Sequence, residues 1–562
     1  MRSLFVALVL ALALALPASA SAANAGELDP AFGTGGVFKQ SVQLQFDVLV
    51  DVELLPGGGF VAAGFTYDGE TNTKVLVAQF TPTGALDTSF AGTGVVVLAF
   101  GSHSYAINDV LRQPDGKILL IGSDEDGAND YALTIRLTAT GELDGTFGSG
   151  TGRIIRDWGG ADTTATSAVV EPNGDILSAG WDSSNLAFNR VQEDGTPSFT
   201  FVGASPNYVQ PLGPYSNGAA AIVRLADGRF ATAGYLYDGT IRHVVVTRHL
   251  YNGSPDTSFS GDGVEVSDLD PQDAISSAML LLPDNRMIVA GEMGNGETQD
   301  FFVARYLAGG GLDPTFGSGG VTRIVRTGSD QLHGLAQAPN GDLLLSGATG
   351  AAIGSYNGDF QVVRLSADGV LDPTFGIGGV SRVDLGANDL GYGVAVQPDG
   401  KPIVVGSTAT GIQTDDMAAV RLLAVSDPLP ALIPVSRITS PSRAAMKRKR
   451  FKRFAGTAAP AGQVAKVEIA VRRVNRKQLK KKRCLWLSSN RARFTKIRST
   501  RKRKCSRFKW LRAKGTDNWS YRLKKTLPVG RYEVYARATL KDGQTQTTFT
   551  ATAGNFRKLT LR

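Results

Sequence analysis

Residues 26–37 read "GELDPAFGTGGV", and the fold turns on what this stretch is. An Asp ahead of a lone Phe, followed by Gly33, Gly35 and Gly36, is turn chemistry rather than the opening of a strand or helix. The phrase returns as "GALDTSFAGTGV", "GELDGTFGSGTG", "GSPDTSFSGDGV", "GGLDPTFGSGGV" and "GVLDPTFGIGGV". Its Asp stands at 29, 87, 144, 256, 313 and 372. The gap from Asp144 to Asp256 is twice the others, and the residues midway, "DGTPSFTF" around Phe199, read as a decayed copy. Seven copies at a period of about 57 residues identify a repeat architecture.

Two further phrases keep the same beat. "RQPDGKILLIG" recurs in variants such as "VEPNGDILSAG" and "VQPDGKPIVVG", and an apolar run ending in Arg recurs as "YALTIRL", "FFVARYL" and "FQVVRL". The first copy of that run, "VLVAQF", has Gln79 where the others have Arg. Short runs of Val, Ile, Leu and aromatic residues between Pro-Asp-Gly and Asn-Gly turns are strands joined by hairpins, four to a period. No stretch before residue 440 sustains a helical apolar period, so the fold class is all-β. Seven four-stranded units suit a β-propeller; an open solenoid would need capping repeats at both ends. The ends here are not caps. The repeats begin with a connector and stop at "DMAAVRLLAVSDP" with none after it. Residues 26–37 are therefore expected to complete the last repeat and close a seven-bladed ring over residues 26–425, leaving no free edge.

At this spacing "LDPTFG", "PDGKILLIG" and "FQVVRL" resemble the delta-60 repeat family, a bacterial β-propeller domain of uncharacterised function. The resemblance covers about residues 26–425 and implies secretion and a propeller. It brings no catalytic residues with it.

Residues 1–25 read as an export signal: Arg2, an apolar run from Leu4 to Leu16, then small residues. Cleavage after Ala20, Ala22 or Ala25 fits equally. The run is shorter than the roughly 20 residues a spanning helix needs, and no later stretch is longer. No membrane span is expected, and the mature chain is expected to be extracellular or associated with the cell wall.

Charge divides the molecule. Residues 1–440 carry 22 Lys and Arg against 47 Asp and Glu, whereas residues 441–562 carry 37 against 4. The formal net charge of +8 therefore hides two opposed halves. Residues 426–440, "SDPLPALIPVSRITS", form a Pro-bearing linker. Beyond it "KVEIAVRRV" and "GRYEVYARATL" alternate apolar and polar residues, which with the length of 441–562 predicts a second β-domain, a sandwich. Its end, "LPVGRYEVYARATLKDG", resembles the immunoglobulin-like modules at the C-termini of exported actinobacterial proteins.

Both cysteines, Cys484 and Cys505, lie in this basic half. Export predicts a disulfide between them; zinc would need two further ligands, and the four histidines all lie elsewhere. Three cationic tracts stand out: Lys447, Arg448, Lys449 and Arg450; Lys480, Lys481, Lys482 and Arg483; Arg501, Lys502, Arg503 and Lys504. Crowded cations repel one another, so an anionic cell-envelope polymer or carbohydrate is the expected partner, held in a salt-dependent way. A solvated basic face, or contact with the acidic propeller of the same chain, competes with that reading. Trp486, Phe494, Phe508 and Trp510 offer rings for stacking bases, but export makes nucleic acid the less favoured partner.

Residues repeated in every unit serve every unit. The connector Asp is expected to accept backbone N–H bonds in its turn, the following Phe to plug a core, and the strand-ending Arg to pair between repeats, with the Asp that opens the same strand (Asp130, Asp300, Asp359, Asp416) as its carboxylate. Outside the pattern, Asp124, Asp126 and Asp130 form a weak candidate for calcium, with a solvated turn the better reading. Phe199, Phe201, Tyr208 and Tyr215 form a candidate ligand loop, because exposed rings bind sugar faces. No Ser-His-Asp order, His-Glu-x-x-His helix, phosphate loop or Cys-His pair is present, and no cofactor is expected. The sequence thus points to a secreted, non-catalytic binding or scaffold protein of the envelope. The alternative is an extracellular polysaccharide hydrolase or lyase, which needs two carboxylates from different repeats outside the repeated positions.

Overall fold

The computed structural model describes residues 24–43, 45–67, 69, 72–160, 162–294, 299–326, 328–350, 358–386, 388–411, 414–424, 435–440, 445–446, 451–459, 464–474, 483–498, 508–516, 518–541, 545–546, 549 and 555–562. The leader up to residue 23, most of the linker and the tracts 447–450, 480–482 and 501–504 lie outside these residues, as does Cys505. The chain divides into two compact units, Met1–Ser426 and Asp427–Arg562. Among the described residues every element is a strand.

The first unit opens with β1 (Val37–Gln40) and proceeds in four-strand cycles. The first is β2 (Phe46–Leu54), β3 (Phe60–Tyr67), β4 (Lys74–Phe80) and β5 (Val95–Leu98). The second is β6 (Ser104–Arg112), β7 (Ile118–Glu125), β8 (Asp130–Leu137) and β9 (Arg153–Arg156). The third is β10 (Thr163–Val170), β11 (Ile176–Asp182), β12 (Asn185–Val191) and β13 (Asn207–Gln210). The fourth is β14 (Asn217–Arg224), β15 (Phe230–Tyr237), β16 (Arg242–His249) and β17 (Val264–Ser267). The fifth is β18 (Asp273–Leu281), β19 (Met287–Gly294), β20 (Gln299–Tyr306) and β21 (Val321–Ile324). The sixth is β22 (Ser329–Gln337), β23 (Leu343–Gly350), β24 (Asp359–Leu365) and β25 (Val380–Val383). The chain then adds β26 (Asp389–Val396), β27 (Pro402–Gly411) and β28 (Thr414–Arg421).

Cycles two to six are four-stranded antiparallel sheets in chain order. The last three strands share an eight-stranded sheet with the first cycle, and β1 pairs antiparallel with β28, Val37 opposite Val420 through Gln40 opposite Met417. Each first strand packs on the next, β2 on β6, β6 on β10 and so on to β22 on β26, and β26 packs back on β2. These are the repeats of a β-propeller domain. Its apolar cores lie between successive sheets: Val61, Val75 and Val77 of one repeat meet Ile107, Leu120 and Leu133 of the next.

Connector chemistry explains the spacing. Phe32, Phe90, Phe147, Phe259, Phe316 and Phe375 are all fully buried, as expected for core plugs. Glycine is obligatory where the connector turns back: Gly36 has φ +97°, and a Cβ there would come 2.6 Å from the Leu28 Cβ.

The second unit contains β29 (Val435–Ser440), β30 (Ala445–Met446), β31 (Arg453–Ala459), β32 (Val464–Arg473), β33 (Arg483–Leu487), β34 (Phe494–Arg498), β35 (Leu511–Arg512), β36 (Asn518–Arg522), β37 (Gly530–Leu540) and β38 (Phe556–Leu561). β29, β31 and β36 form one sheet; the remaining strands form a second, seven-stranded one. Ile438, Phe454 and Trp519 from the first share one core with Val467, Ile469, Val534 and Leu559 from the second.

Candidate functional site

The strand-ending Arg and the connector Asp form one clamp in repeat after repeat. Arg136 Nε donates to Asp144 Oδ2 at 2.7 Å, Arg248 to Asp256 at 2.7 Å, Arg305 to Asp313 at 2.8 Å and Arg364 to Asp372 at 2.7 Å. The second oxygen of each Asp accepts the backbone N–H two residues on, as from Thr146 and Thr315 at 3.0 Å. Each guanidinium also lies over its connector Phe, 4.8 Å from the ring centre for Arg305 and Phe316. The outer nitrogen reaches a carbonyl of the following repeat, Glu193 for Arg136 and Ala367 for Arg305. Burial opposes ionisation of Asp144, Asp256 and Asp313, yet the hydrogen bonds and the Arg charge outweigh it and hold all three well below the usual carboxylate range. Gln79 stands in for the Arg by donating to Asp87 at 3.1 Å.

The clamp corrects one expectation. The strand-ending Arg does pair between repeats, but not with the Asp that opens its own strand, which lies at the far end of that strand. Asp300 accepts instead from Arg323 at 2.8 Å, and Asp359 from Arg382.

The connector around Phe199 is not decayed either. Ser198 takes the place of the Asp, its N–H reaching the Arg190 carbonyl at 3.0 Å as Asp144 N reaches Arg136. Thr200 accepts from Arg190 at 2.7 Å, and Phe201 lies 4.7 Å under its guanidinium. The missing charge is supplied by Glu171, whose carboxylate meets Arg190 at 3.3 Å.

This placement divides the candidate ligand loop. Phe201 is a buried plug; Tyr208, on β13, stacks on Phe188 at 6.4 Å. Phe199 is 62% exposed and lies at the connector end of the repeat, while Tyr215, 50% exposed, meets Tyr237 at the opposite end. The four rings do not form one surface. Exposed Phe199 and Val202 instead neighbour exposed Leu250 and Tyr251, with Val202 N bonded to the Asn252 carbonyl.

Asp124, Asp126 and Asp130 make separate contacts. Asp124 is buried against His103 at 2.5 Å, Asp126 caps the N–H groups of Ala128 and Asn129, and Asp130 opens β8. Burial, then the charges of Glu125, Asp162 and Asp126, raise the Asp130 carboxyl. The described carboxylates whose oxygens converge are different ones, Asp359, Asp384 and Asp389. Two of these already hold partners: Asp359 binds Arg382, and Asp389 accepts from Leu385 N and Thr408 Oγ1.

The first strands carry what the sequence reading missed. Each ladder between first and second strand skips a residue, at Val50, Asn108, Thr166, Ala220, Ser277 and His333, with a two-residue skip in β26. Such bulges re-aim the next side chain. That next residue is Asp51, Asp109, Ser167, Ala221, Ala278 or Gly334. Asp51 accepts from Val110 N at 3.0 Å, and Asp109 from Ala168 N at 2.9 Å and Ser167 Oγ at 3.0 Å. Burial and then the Asp109 charge push Asp51 well up; burial raises Asp109. Glu53 beside them is pushed up to about 7 by burial and by Asp109. Glu292 rises to about 7 through burial while accepting from Leu332 N at 2.7 Å. The signal was in the sequence: "VDVEL" and "INDVLR" set Asp where other repeats have Ser, Ala or Gly.

In the second unit, Glu468 takes Arg537 at 2.8 Å and Lys466 at 3.6 Å, and Glu533 takes Arg472. Arg483 is exposed at the start of β33 and Cys484 beside it is buried. Trp486 is fully buried, and Phe508 stacks on Trp510 at 5.2 Å, itself capped by Arg537 at 4.2 Å. These rings pack on each other and on Tyr535.

Repeated four-stranded sheets joined by this clamp define a β-propeller repeat protein. Residues 60–90, 113–147, 282–316 and 338–375 match the family described as "Domain of unknown function (DUF5122) beta-propeller". No curated protein sequence matches the chain. Similar solved structures include Drosophila Plexin A in complex with Semaphorin 1b (7% identity, 68% of this chain and 87% of that one, TM-score 0.36). Others are the polysaccharide lyase Uly1 (11%, 63% and 86%, TM-score 0.33) and a glucose dehydrogenase (12%, 67% and 99%, TM-score 0.28).

Proposed function

We propose that the chain is an exported binding and scaffold protein of the cell envelope. Its repeats form a seven-bladed propeller closed by the N-terminal segment, and an immunoglobulin-like sandwich follows, pinned by a Cys484–Cys505 disulfide. The basic module holds an anionic polymer, and the propeller presents a second surface, for which exposed Phe199, Val202, Leu250 and Tyr251 are the candidates. One observation carries the polymer reading: residues 441–562 hold 37 cations and only 4 carboxylates, two of which, Glu468 and Glu533, already take three cations. Most of the charge has no neutralising partner within its own unit, so an external polyanion gains by releasing counterions.

The hydrolase or lyase reading asks for two carboxylates from different repeats, and Asp51 with Asp109 meets that condition. Their oxygens, however, already accept from structural donors, Asp51 from Val110 N and Asp109 from Ala168 N and Ser167 Oγ. Carboxyls committed in this way favour the binding reading. The test is a salt series with the full chain and polyphosphate or an acidic polysaccharide. Affinity should fall steeply between low and high salt; affinity unchanged by salt, or no binding at low salt, contradicts the proposal.

A further inference from the structure

Each connector hands one backbone hydrogen bond to a neighbouring repeat, always from the residue after its Phe plug. Gly33 N donates to the Thr83 carbonyl at 2.8 Å, Gly148 N to Asp194 at 3.0 Å and Gly317 N to Asp368 at 2.9 Å, and the connectors at Phe90, Phe201 and Phe259 follow suit. The remaining connector, at Phe375, sends its bond to the start of the chain: Gly376 N donates to the Ala25 carbonyl at 2.9 Å. The acceptor is always followed by a glycine in the left-handed region, Gly84 at φ +81°, Gly195 at +86°, Gly369 at +79° and, after Ala25, Gly26 at +81°. Inside the domain that acceptor belongs to one unbroken hairpin, as where Thr81 N bonds the Ala85 carbonyl and Gly84 N the Thr81 carbonyl. At Ala25 the same hairpin is assembled from two ends of the domain, Leu423 N bonding the Glu27 carbonyl at 2.8 Å and Gly26 N the Leu423 carbonyl at 2.9 Å.

Ala25 is thus a working part of the last seam, and its side chain is buried in the core that holds Phe375, Val383 and Leu422. Asn24 is engaged as well: its carbonyl accepts from Glu27 N at 3.2 Å, and its side-chain amide donates to Glu27 Oε1 at 2.9 Å. Small residues at the last and third-last positions permit a leader cut after Ala20, Ala22 or Ala25. The third cut would remove the acceptor, hand the Gly376 N–H to water, take away the buried methyl and put a charged α-amino group on Gly26. That charge would fall where two backbones already close on each other, since a Cβ on Gly26 would come 2.6 Å from Gly376 N. We propose that the leader's processing site lies ahead of Asn24, after Ala20 or Ala22, and that Asn24 and Ala25 stay in the mature chain as the acceptor side of the last seam. The inference rests on the export reading of the leader. The step is hydrolysis of one peptide bond, water supplying the oxygen of the new carboxylate on the leader and the proton of the new α-amino group on the mature chain.

Two measurements test this. The full-length precursor is expressed in a secreting bacterial host, and the exported chain is read by N-terminal sequencing and intact mass. It should begin at Ser21 or Ala23. A start at Gly26 overturns the inference and leaves export standing, whereas a chain kept inside the cell with Met1 in place overturns the export reading and the inference with it. Separately, chains beginning at Ala23 and at Gly26, each released from a removable tag, are compared by melting and by hydrogen exchange. The chain from Gly26 should melt lower, and its Gly376 amide should exchange about tenfold faster than in the chain from Ala23. The Gly148 amide, bonded to the Asp194 carbonyl, should keep its rate. Equal melting and equal exchange at Gly376, or acceleration shared equally by Gly148, contradicts the role given to Ala25. Should the chain from Gly26 fail to fold, Ala25→Gly in the longer chain decides: it keeps the carbonyl and loses the methyl, so Gly376 should stay protected, and loss of that protection overturns the proposal.

Discussion

The connectors and the first strands of the propeller repeats are built on opposite rules. At Arg136, Arg248, Arg305, Arg364 and Arg421 the same guanidinium meets the same carboxylate within 2.7–2.9 Å over the same aromatic ring. One residue past the first-strand bulge, by contrast, the first six repeats have Asp, Asp, Ser, Ala, Ala and Gly in turn. Identity at the connectors reports a task that every repeat shares, joining one sheet to the next. Variation at the first strands is where one repeat can differ from its neighbours without breaking that joint. The third repeat tests the rule: when its connector lost the Asp to Ser198, a carboxylate returned from another direction at Glu171, so the charge balance around the Arg was kept and the residue was not.

The largest effect is expected where a clamp also joins the two ends of the domain. Asp29 and Arg421 are 392 residues apart, bonded at 2.9 Å, with Lys401 at 2.8 Å on the same oxygen. Arg421→Ala leaves a buried carboxylate short of its partner and should cost about 3–5 kcal/mol by chemical denaturation. Arg305→Ala should approach but not exceed it, because it breaks an internal seam only.

A pH effect of comparable size belongs to the connectors. His249, beside Arg248, is buried between Phe188 and Phe230 and bonded to Thr247 and the Gly253 carbonyl. Burial lowers its pKa from 6.5 to about 4. The neutral ring is favoured in the fold, so stability is full above about 6.5 and is lost as pH falls toward about 4, by about 3 kcal/mol in all. Melting curves of His249→Gln should be flatter over that interval.

Glu171→Gln should cost about 2–3 kcal/mol, and adding Ser198→Asp should restore most of it, because the connector carboxylate then returns to its usual place. Full additivity of the two changes would show that Glu171 is not the substitute. On the first strands Gly393→Ala should cost about 1–3 kcal/mol through overpacking against Asp51. Smallest of all, Arg382→Ala should change stability by less than about 1 kcal/mol, since its side chain is 60% exposed although it meets Asp359.

Legibility followed the same divide. The strand cycles, the Phe plugs and the Asp turns could be read because each recurs at fixed spacing. The Arg pairs beyond the turn because Asp300, though only five residues before Arg305, stands at the other end of β20, whereas Asp313, eight residues after it, is brought back beside it by the connector. Ser198 hid the fourth connector because its replacement, Glu171, lies 27 residues earlier in the chain. Asp51 and Asp109 went unnoticed because periodic analysis discards what does not repeat. The rings at Phe199, Phe201, Tyr208 and Tyr215 looked like one cluster only because β13, which runs between the two ends of the repeat, had not been recognised as a strand.

The central claim is that the N-terminal segment fastens the last sheet through β1 and β28. Val37 and Val420 stand opposite each other, next to the Arg421 N–H bond to the Gly36 carbonyl, which makes them a non-hydrogen-bonded pair with close Cα atoms. A Val37→Cys, Val420→Cys chain should therefore cross-link on mild oxidation and melt higher than its reduced form, whereas Val37→Cys with Ala419→Cys should not. Failure of the first pair to cross-link, or equal cross-linking by the second, would contradict the closure.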